Sequence, residues 1–526
     1  MLNRLKSLLS PPPSRPVDES IAYKKQGDEH LKLDRLADAV TCYRRAVSMN
    51  PAYADACVGL GFALSEQKEY REAEQYLRQA LSIDPGIADA HYILGTISKR
   101  QNDRVGSIDH FTRTLEVKPD FEFAYRDLFS AFLEGGEIQK ARDIMDRAIS
   151  TLPESAEFRF NLGNLLSREG EYDNAVACYQ KALSIQPGSP ELHKSLADAL
   201  SKRGHLDQAV ASYQKALWFE PNFVDAHSGL GRVMQSQGKL DLAIGCYRRA
   251  VALDPEIVAA HQNLGNALLE RGETQDAIAC YEQVVRLDPE NGVKHLIAAL
   301  SGLDSERAPS GYVEQLFDQY AQKFDSHLVE VLGYSDPEKL ADLLRPYSEP
   351  NGEKWVILDL GCGTGLSGAA IASYSKQLVG VDLSAKMLEK AANRKLYDRL
   401  EHRDLLTMMQ GEAASSYDVV FATDVFIYVG KLDDLMIHVQ RLLRPGGLFA
   451  FSVESLDALM DDVAAPPERH DYRLNVTGRY AHSIAYLARM AAHNGFEVLR
   501  VTDTQNRLDK GKPVHGYLAV WRRGHV

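Results

Sequence analysis

One short run holds most of the chemistry in this chain. KWVILDLGCGTGLSGAAIA places the apolar WVILDL before GCGTG, so a buried strand should break into a turn and then a helix. Gly361, Gly363 and Gly365 permit conformations that a side chain forbids and leave backbone amides open to a ligand. Asp359, at the strand end, lies beside the turn. The next apolar run, QLVGVDLS, ends in Asp382, 21 residues after Gly361, where a carboxylate can accept two hydrogen bonds from a ribose diol. A dinucleotide asks for G-x-G-x-x-G to seat its pyrophosphate. Here the third glycine comes one place early, and Leu366 stands in the dinucleotide position. The spacing therefore departs from the dinucleotide turn.

Further elements follow in order: VDLSAKML, HRDLL, YDVVFATDVFIYV, LLRPGGLFAFSVES, then GFEVLRVTDT and KPVHGYLAVWRR. Over residues 312 to 523 they resemble the class I S-adenosylmethionine-dependent methyltransferases. The resemblance implies an α/β Rossmann-like domain with a seven-stranded mixed sheet and a terminal antiparallel hairpin. It also implies site roles. Gly361 and Gly363 line the methionyl and ribose portion, and Asp359 and Gly365 are likewise expected to bind the cofactor. Asp382 takes the ribose hydroxyls, and Leu383 and Met387 the adenine face. Asp404 accepts from the adenine amino group, with Leu405 beside it. Thr423 and Asp424 hold the methionyl moiety and begin the acceptor pocket, and Tyr320 closes over the cofactor. The FDQYAQKFDSHL and GRYAHSIAYLARMAAHNGFEV segments further resemble bacterial methyltransferases that carry tetratricopeptide repeats.

Methyl transfer from a sulfonium needs alignment, exclusion of water and, for some acceptors, a base. It needs no metal, and no histidine and acidic cluster stands at ligand spacing. Acceptor candidates come from the ends of the fourth and fifth strands and from the segment after them: Asp424, Tyr428, Glu454, Arg473, Arg479, Tyr480 and His482. His482 is the candidate general base. Arg479 could clamp a carboxylate or phosphate, with Tyr480 between them. Arg479 and His482 are expected to open a helix, where capping or exposure would explain them equally well.

The elements in front of this domain have a ruler. Prolines stand at 51, 85, 119, 153, 187, 221, 255 and 289, each 34 residues after the last. With the proline as position 32, position 20 is alanine in every unit but one. Position 8 is glycine in six, and position 24 is large and often tyrosine. Small residues at 8 and 20 let two helices approach closely, the residue at 24 fills the gap toward the neighbouring unit, and the proline ends the second helix. The pattern resembles the tetratricopeptide repeat, an α-solenoid whose concave face binds proteins or peptides. Asn161, Asn164, Asn263 and Asn266 fall on the first helices. As a ladder gripping a peptide they are too few, and a solvated polar face accounts for them.

The expected organisation is a tail at 1–19, eight repeats at 20–291, a capping helix at 292–303, a polar linker at 304–311 and the methyltransferase domain with a helical lid at 312–526. The short polar linker predicts relative motion of the two halves. Pro11 to Pro13 suggest a frayed tail. The net charge of −13 argues against a nucleic-acid surface, and no apolar run suffices to span a membrane. Cys42, Cys178, Cys246 and Cys280 share one repeat position, as packing residues do, which suits a cytoplasmic protein. Three functions fit. One is a methyltransferase whose repeats recruit a protein substrate or partner. Another is a scaffold whose methyltransferase-like domain senses cofactor or is inactive. The third is a small-molecule methyltransferase using its repeats for assembly.

Overall fold

The computed structural model describes residues 16–303, 305–328, 332–348, 352, 354–460, 471–509 and 512–525. Residues 1–15 of the tail expected at 1–19, with its proline run, lie outside them, and residues 16–19 are not tail but the start of the helix Pro16–Lys32. The chain divides into two compact units, Met1–Arg249 and Ala250–Val526. No helix among the described residues is long and apolar enough to cross a membrane.

The N-terminal unit is a solenoid of paired helices, as in Ala54–Glu66 with Tyr70–Ile83 and Ala156–Arg168 with Tyr172–Ile185. The position-24 side chain explains the glycine at position 8. A Cβ on Gly163 would stand 2.6 Å from the Tyr179 ring, and one on Gly61 the same distance from Leu77. Tyr43 presses on Gly27 of its own repeat and equally on Gly59 of the next, at 2.7 Å from each hypothetical Cβ. One ring thus closes both the hairpin and the stack. Its hydroxyl is satisfied by position 9: Tyr43 donates to Asp28 at 2.8 Å, and Tyr179 to Asn164 at 2.8 Å. In the last repeat Tyr281 likewise donates to Asn266 at 2.7 Å. Asn164 and Asn266 therefore do not belong to a merely solvated face; a buried phenol needs their amide oxygen.

The C-terminal unit takes in the end of the helix Leu240–Leu253, then the last repeat pair, Val258–Arg271 and Thr274–Leu287, and the capping helix Val293–Leu300. A preface helix, Ser310–Tyr320, and the helix Asp336–Leu344 lead into the sheet. Its strands are β1 Trp355–Leu360, β2 Ser375–Asp382, β3 Arg399–His402, β4 Tyr417–Ala422, β5 Leu443–Ser455, β6 Tyr472–Leu474, β7 Tyr480–His482, β8 Phe496–Asp509 and β9 Lys512–Arg523. β3, β2, β1, β4 and β5 are parallel neighbours, and β9 joins β5 antiparallel with β8 outside it. Alternate residues of β1 bury on opposite faces, Ile357 in one apolar cluster and Leu358 and Leu360 in the other.

Three findings differ from the sequence expectation. Among the described residues the sheet has nine strands, because the short β6–β7 hairpin joins the end of β5 at Glu454 and Ser455. Residues 480–482 are strand, not the start of a helix. The helix Ile484–His493 begins only after Ser483, whose hydroxyl accepts from the Tyr486 amide, while Tyr480 and His482 pair with Leu474 and Tyr472. Residues 305–311 are not a loose connection either. Glu306 O accepts from the Gly430 and Lys431 amides at 2.9 Å each, and the Ala308 amide donates to Tyr428 O at 2.9 Å. A polar composition marked that segment as a linker because backbone pairing leaves no trace in side-chain types.

Candidate active site

The strand order reverses between β1 and β4, and the glycine turn after β1 sits at that switch point, where open α/β sheets bind ligands. The turn is left-handed at Gly361 (φ +65°), Gly363 (+52°) and Gly365 (+88°). A Cβ on Gly361 would come within 2.6 Å of Val425, whereas nothing lies within 4 Å of one on Gly363. Bare backbone therefore faces open space at Gly363. Asp382 closes β2 beside it. Its carboxylate accepts from the Gly363 amide at 2.9 Å and the Ser384 amide at 2.8 Å. Burial pushes this carboxyl above its usual range, and those amides oppose the shift.

A cavity of about 850 Å³ opens above the turn. It is lined by Gly361, Gly363, Asp382, Leu383, Asp404, Leu405, Thr423, Asp424 and Tyr320, so the structure brings these expected residues to one place. Asp359, Gly365 and Met387 are not among its walls. Asp359 is fully buried and accepts from Ser367 and Tyr397 at 2.6 Å each, and burial lifts its carboxyl to about 7. It braces the turn from behind. A Cβ on Gly365 would face Arg394, and Met387 is wholly buried in the core. Asp404 caps the helix Leu405–Gly411 and accepts from Arg307 at 2.7 Å and Ser310 at 3.2 Å. Burial would raise that carboxyl, but the Arg307 guanidinium outweighs it and holds it below its usual range. Any further donor to Asp404 must compete with those partners.

Among the acceptor candidates, Arg479, Tyr428 and Asp424 line the cavity. Tyr480 and His482 do not. The Tyr480 side chain is fully buried, with its hydroxyl against Ser305 Oγ. His482 is also fully buried. Its Nε2 donates to Gly430 O at 3.0 Å, its ring stacks on Tyr486, and burial drives its pKa down to about 4. A neutral imidazole sealed in the core cannot reach an acceptor. Arg473 is exposed. Glu454 is buried in an ion pair with Arg507.

The sequence reading did not find Arg507. This buried arginine lines the cavity floor and grips both oxygens of Asp424, at 3.0 and 3.1 Å, along with Glu454. A bulge between Gln505 and Arg507 buries Asn506 and Arg507 together, which breaks the period-two pattern that would have marked an inward residue. Asp424 itself has φ +57°, a conformation costly for a non-glycine residue that this double anchor holds. His327 was also missed. It lines the cavity with its Nδ1 against the Tyr320 hydroxyl. The preface is latched over the glycine turn by Asp325, which meets Thr364 and, at 2.5 Å, Arg394, and by Asp318, which accepts from Ser384 at 2.5 Å. FDQYAQKFDSHL carried that signal in its two aspartates and its histidine.

Comparison with known proteins agrees with this architecture. Residues 358–449 match the methyltransferase domain model, and tetratricopeptide repeat models match residues 24–88, 156–189, 178–211 and 230–292. The chain joins tetratricopeptide repeats to a methyltransferase domain. Methyltransferase GfsG of Streptomyces halstedii is 30% identical over 156 residues, 29% of this chain and 56% of that protein. The ubiquinone biosynthesis O-methyltransferase of Thiobacillus denitrificans is 28% identical over 208 residues, 33% of this chain and 87% of that enzyme. The chain thus spans little more than half of the first relative. The crystal structure of YrrB, described as a TPR protein with an unusual peptide-binding site, aligns with a TM-score of 0.30 at 21% identity, covering 34% of this chain and 92% of that one.

Proposed function

We propose that the methyltransferase domain transfers a methyl group from S-adenosylmethionine to an acceptor enclosed under the preface helix, and that the repeats recruit the partner that delivers it. The observation that carries this reading is the left-handed turn at the switch point, bare at Gly363 and flanked by Asp382, opening into a cavity of ordinary cofactor-site size. In this reading Gly361 and Gly363 approach the methionyl and ribose portion, and Asp382 orients the ribose. Leu383 and Leu405 sandwich the base. The bound cofactor supplies an activated methyl group on a sulfonium. The chain supplies alignment. Thr423 and Asp424 border the reacting end, and Val313, Leu316, Phe317 and Phe324 give it an apolar wall. His327, rather than His482, offers an imidazole able to take an acceptor proton, with the Tyr320 hydroxyl orienting it.

The apolar wall that the preface adds to the cavity favours a small molecule or a slender chain end over a folded protein surface as the acceptor. The relatives that are O-methyltransferases by name point the same way. For the repeats, Trp218 is 76% exposed beside Phe219, in a hollow lined by Leu183, His193 and Leu196, which suits an aromatic-rich protein contact. Calorimetric titration of the full-length chain with S-adenosylmethionine and S-adenosylhomocysteine tests the central assignment. Saturable one-to-one binding of both is expected. No heat and no thermal stabilisation with either would remove the methyltransferase reading in favour of a scaffold.

A further inference from the structure

Arg479 stands between two residues that the end of the repeat array holds. On one side, Gly478 O accepts a hydrogen bond from His295 Nε2 of the capping helix at 2.9 Å. On the other, buried Tyr480 packs with Ala299 of the same helix and meets Ser305 through its hydroxyl. The His295 ring lies 5.1 Å from Tyr312 of the preface and 5.8 Å from Tyr480. The hairpin is thus clamped on both flanks of residue 479, and the Arg479 side chain lines the cavity.

The charges in that cavity are unevenly satisfied. Four of its described lining residues are lysine or arginine. Arg307 pairs with Asp404 at 2.7 Å, Lys431 with Glu306 at 3.0 Å, and Arg507 with Asp424 at 3.0 Å and with Glu454. Among the described residues Arg479 has no carboxylate within ion-pair distance; its hydrogen-bonding neighbour is the Tyr428 hydroxyl, and Glu454 and Asp424 attract it from farther off. A guanidinium that faces the cavity with no carboxylate in direct contact keeps N–H donors for a fixed oxyanion, even with Glu454 and Asp424 acting on it from farther off. The apolar wall of Val313, Leu316, Phe317 and Phe324 defines the rest of the ligand.

We propose that Arg479 binds an oxyanion, a carboxylate or a phosphate, on an acceptor with an apolar body, and that the capping helix of the repeats positions that guanidinium through His295. This inference rests on the methyltransferase reading of the cavity. It makes the end of the repeat array part of acceptor recognition.

The test uses the full-length protein saturated with S-adenosylhomocysteine, titrated calorimetrically with octanoate, octyl phosphate and octanol. The wild type should bind at least one anion about tenfold or more tightly than octanol, and which anion wins separates the carboxylate from the phosphate. R479Q should lose that preference and R479K should keep part of it, with S-adenosylhomocysteine affinity unchanged in both. H295A should weaken anion binding while leaving octanol and cofactor affinity as they were, which a general loss of stability would not do. Octanol binding as tightly as both anions, or an anion preference that survives R479Q, overturns the subsite alone. A wild type that binds no S-adenosylhomocysteine overturns the methyltransferase reading and the subsite with it.

Discussion

Replacing His482 by glutamine separates a structural histidine from a catalytic one. The imidazole is fully buried and donates to Gly430 O, and burial lowers its pKa from 6.5 to about 4. A folded-state pKa below the unfolded value means that the native state resists the proton that the unfolded chain accepts. The stability this histidine contributes is therefore complete above pH 6.5 and is lost as the pH falls toward 4. At pH 5 the loss is about 1.5 pH units' worth of proton binding, or about 2 kcal/mol. Glutamine keeps an N–H for Gly430 O but does not titrate. His482→Gln should therefore cost stability at pH 7.5, and its deficit relative to the wild type should shrink by about 2 kcal/mol at pH 5, roughly 4 °C in the unfolding midpoint. Asp336 and Asp359, both lifted to about 7 by burial, act in the opposite sense and stabilise on acidification. They are common to both proteins and cancel in the difference. Fluorescence-detected thermal unfolding reads the effect. Of the three tryptophans, Trp355 and Trp521 belong to the C-terminal unit, so a Trp218→Phe background isolates it. A deficit equal at both pH values, or one that grows on acidification, would refute the buried neutral imidazole.

Two further perturbations probe the two halves of the chain. Asp382→Ala removes the acceptor for the Gly363 and Ser384 amides, so S-adenosylhomocysteine affinity should fall by more than about tenfold. The C-terminal unfolding transition should move down at the same time, and affinity unchanged by calorimetry would show that β2 ends elsewhere than at the cofactor. Gly163→Ala places a methyl group 2.6 Å from the Tyr179 ring and should destabilise the solenoid by about 1–3 kcal/mol. Urea unfolding followed at Trp218 checks this. Wild-type stability there would mean that the ring has room to move and that position 8 is not under steric constraint.

The parts of this protein that were legible in its sequence share one property: they depend on near neighbours along the chain. A repeat of 34 residues is visible because each unit makes the same local contacts, Tyr179 on Gly163 and Tyr281 on Gly265. The glycine turn is visible because left-handed backbone at Gly361, Gly363 and Gly365 admits few other residues. Asp382 follows from the fixed length of a strand–helix–strand unit. What tertiary structure decided involves residues far apart in sequence. Arg507 anchors Asp424, 83 positions earlier, and His295 reaches Gly478, 183 positions later. Tyr480 and His482 look like chemistry in a one-dimensional reading, but packing sealed them in the core. Arg479, beside them, was left facing the cavity with no carboxylate in direct ion-pair contact among the described residues. Local propensity specifies an element and its type. Whether a polar side chain within it is a ligand or a core residue is set by which distant groups desolvate and pair it, and that pairing exists only once the chain has folded.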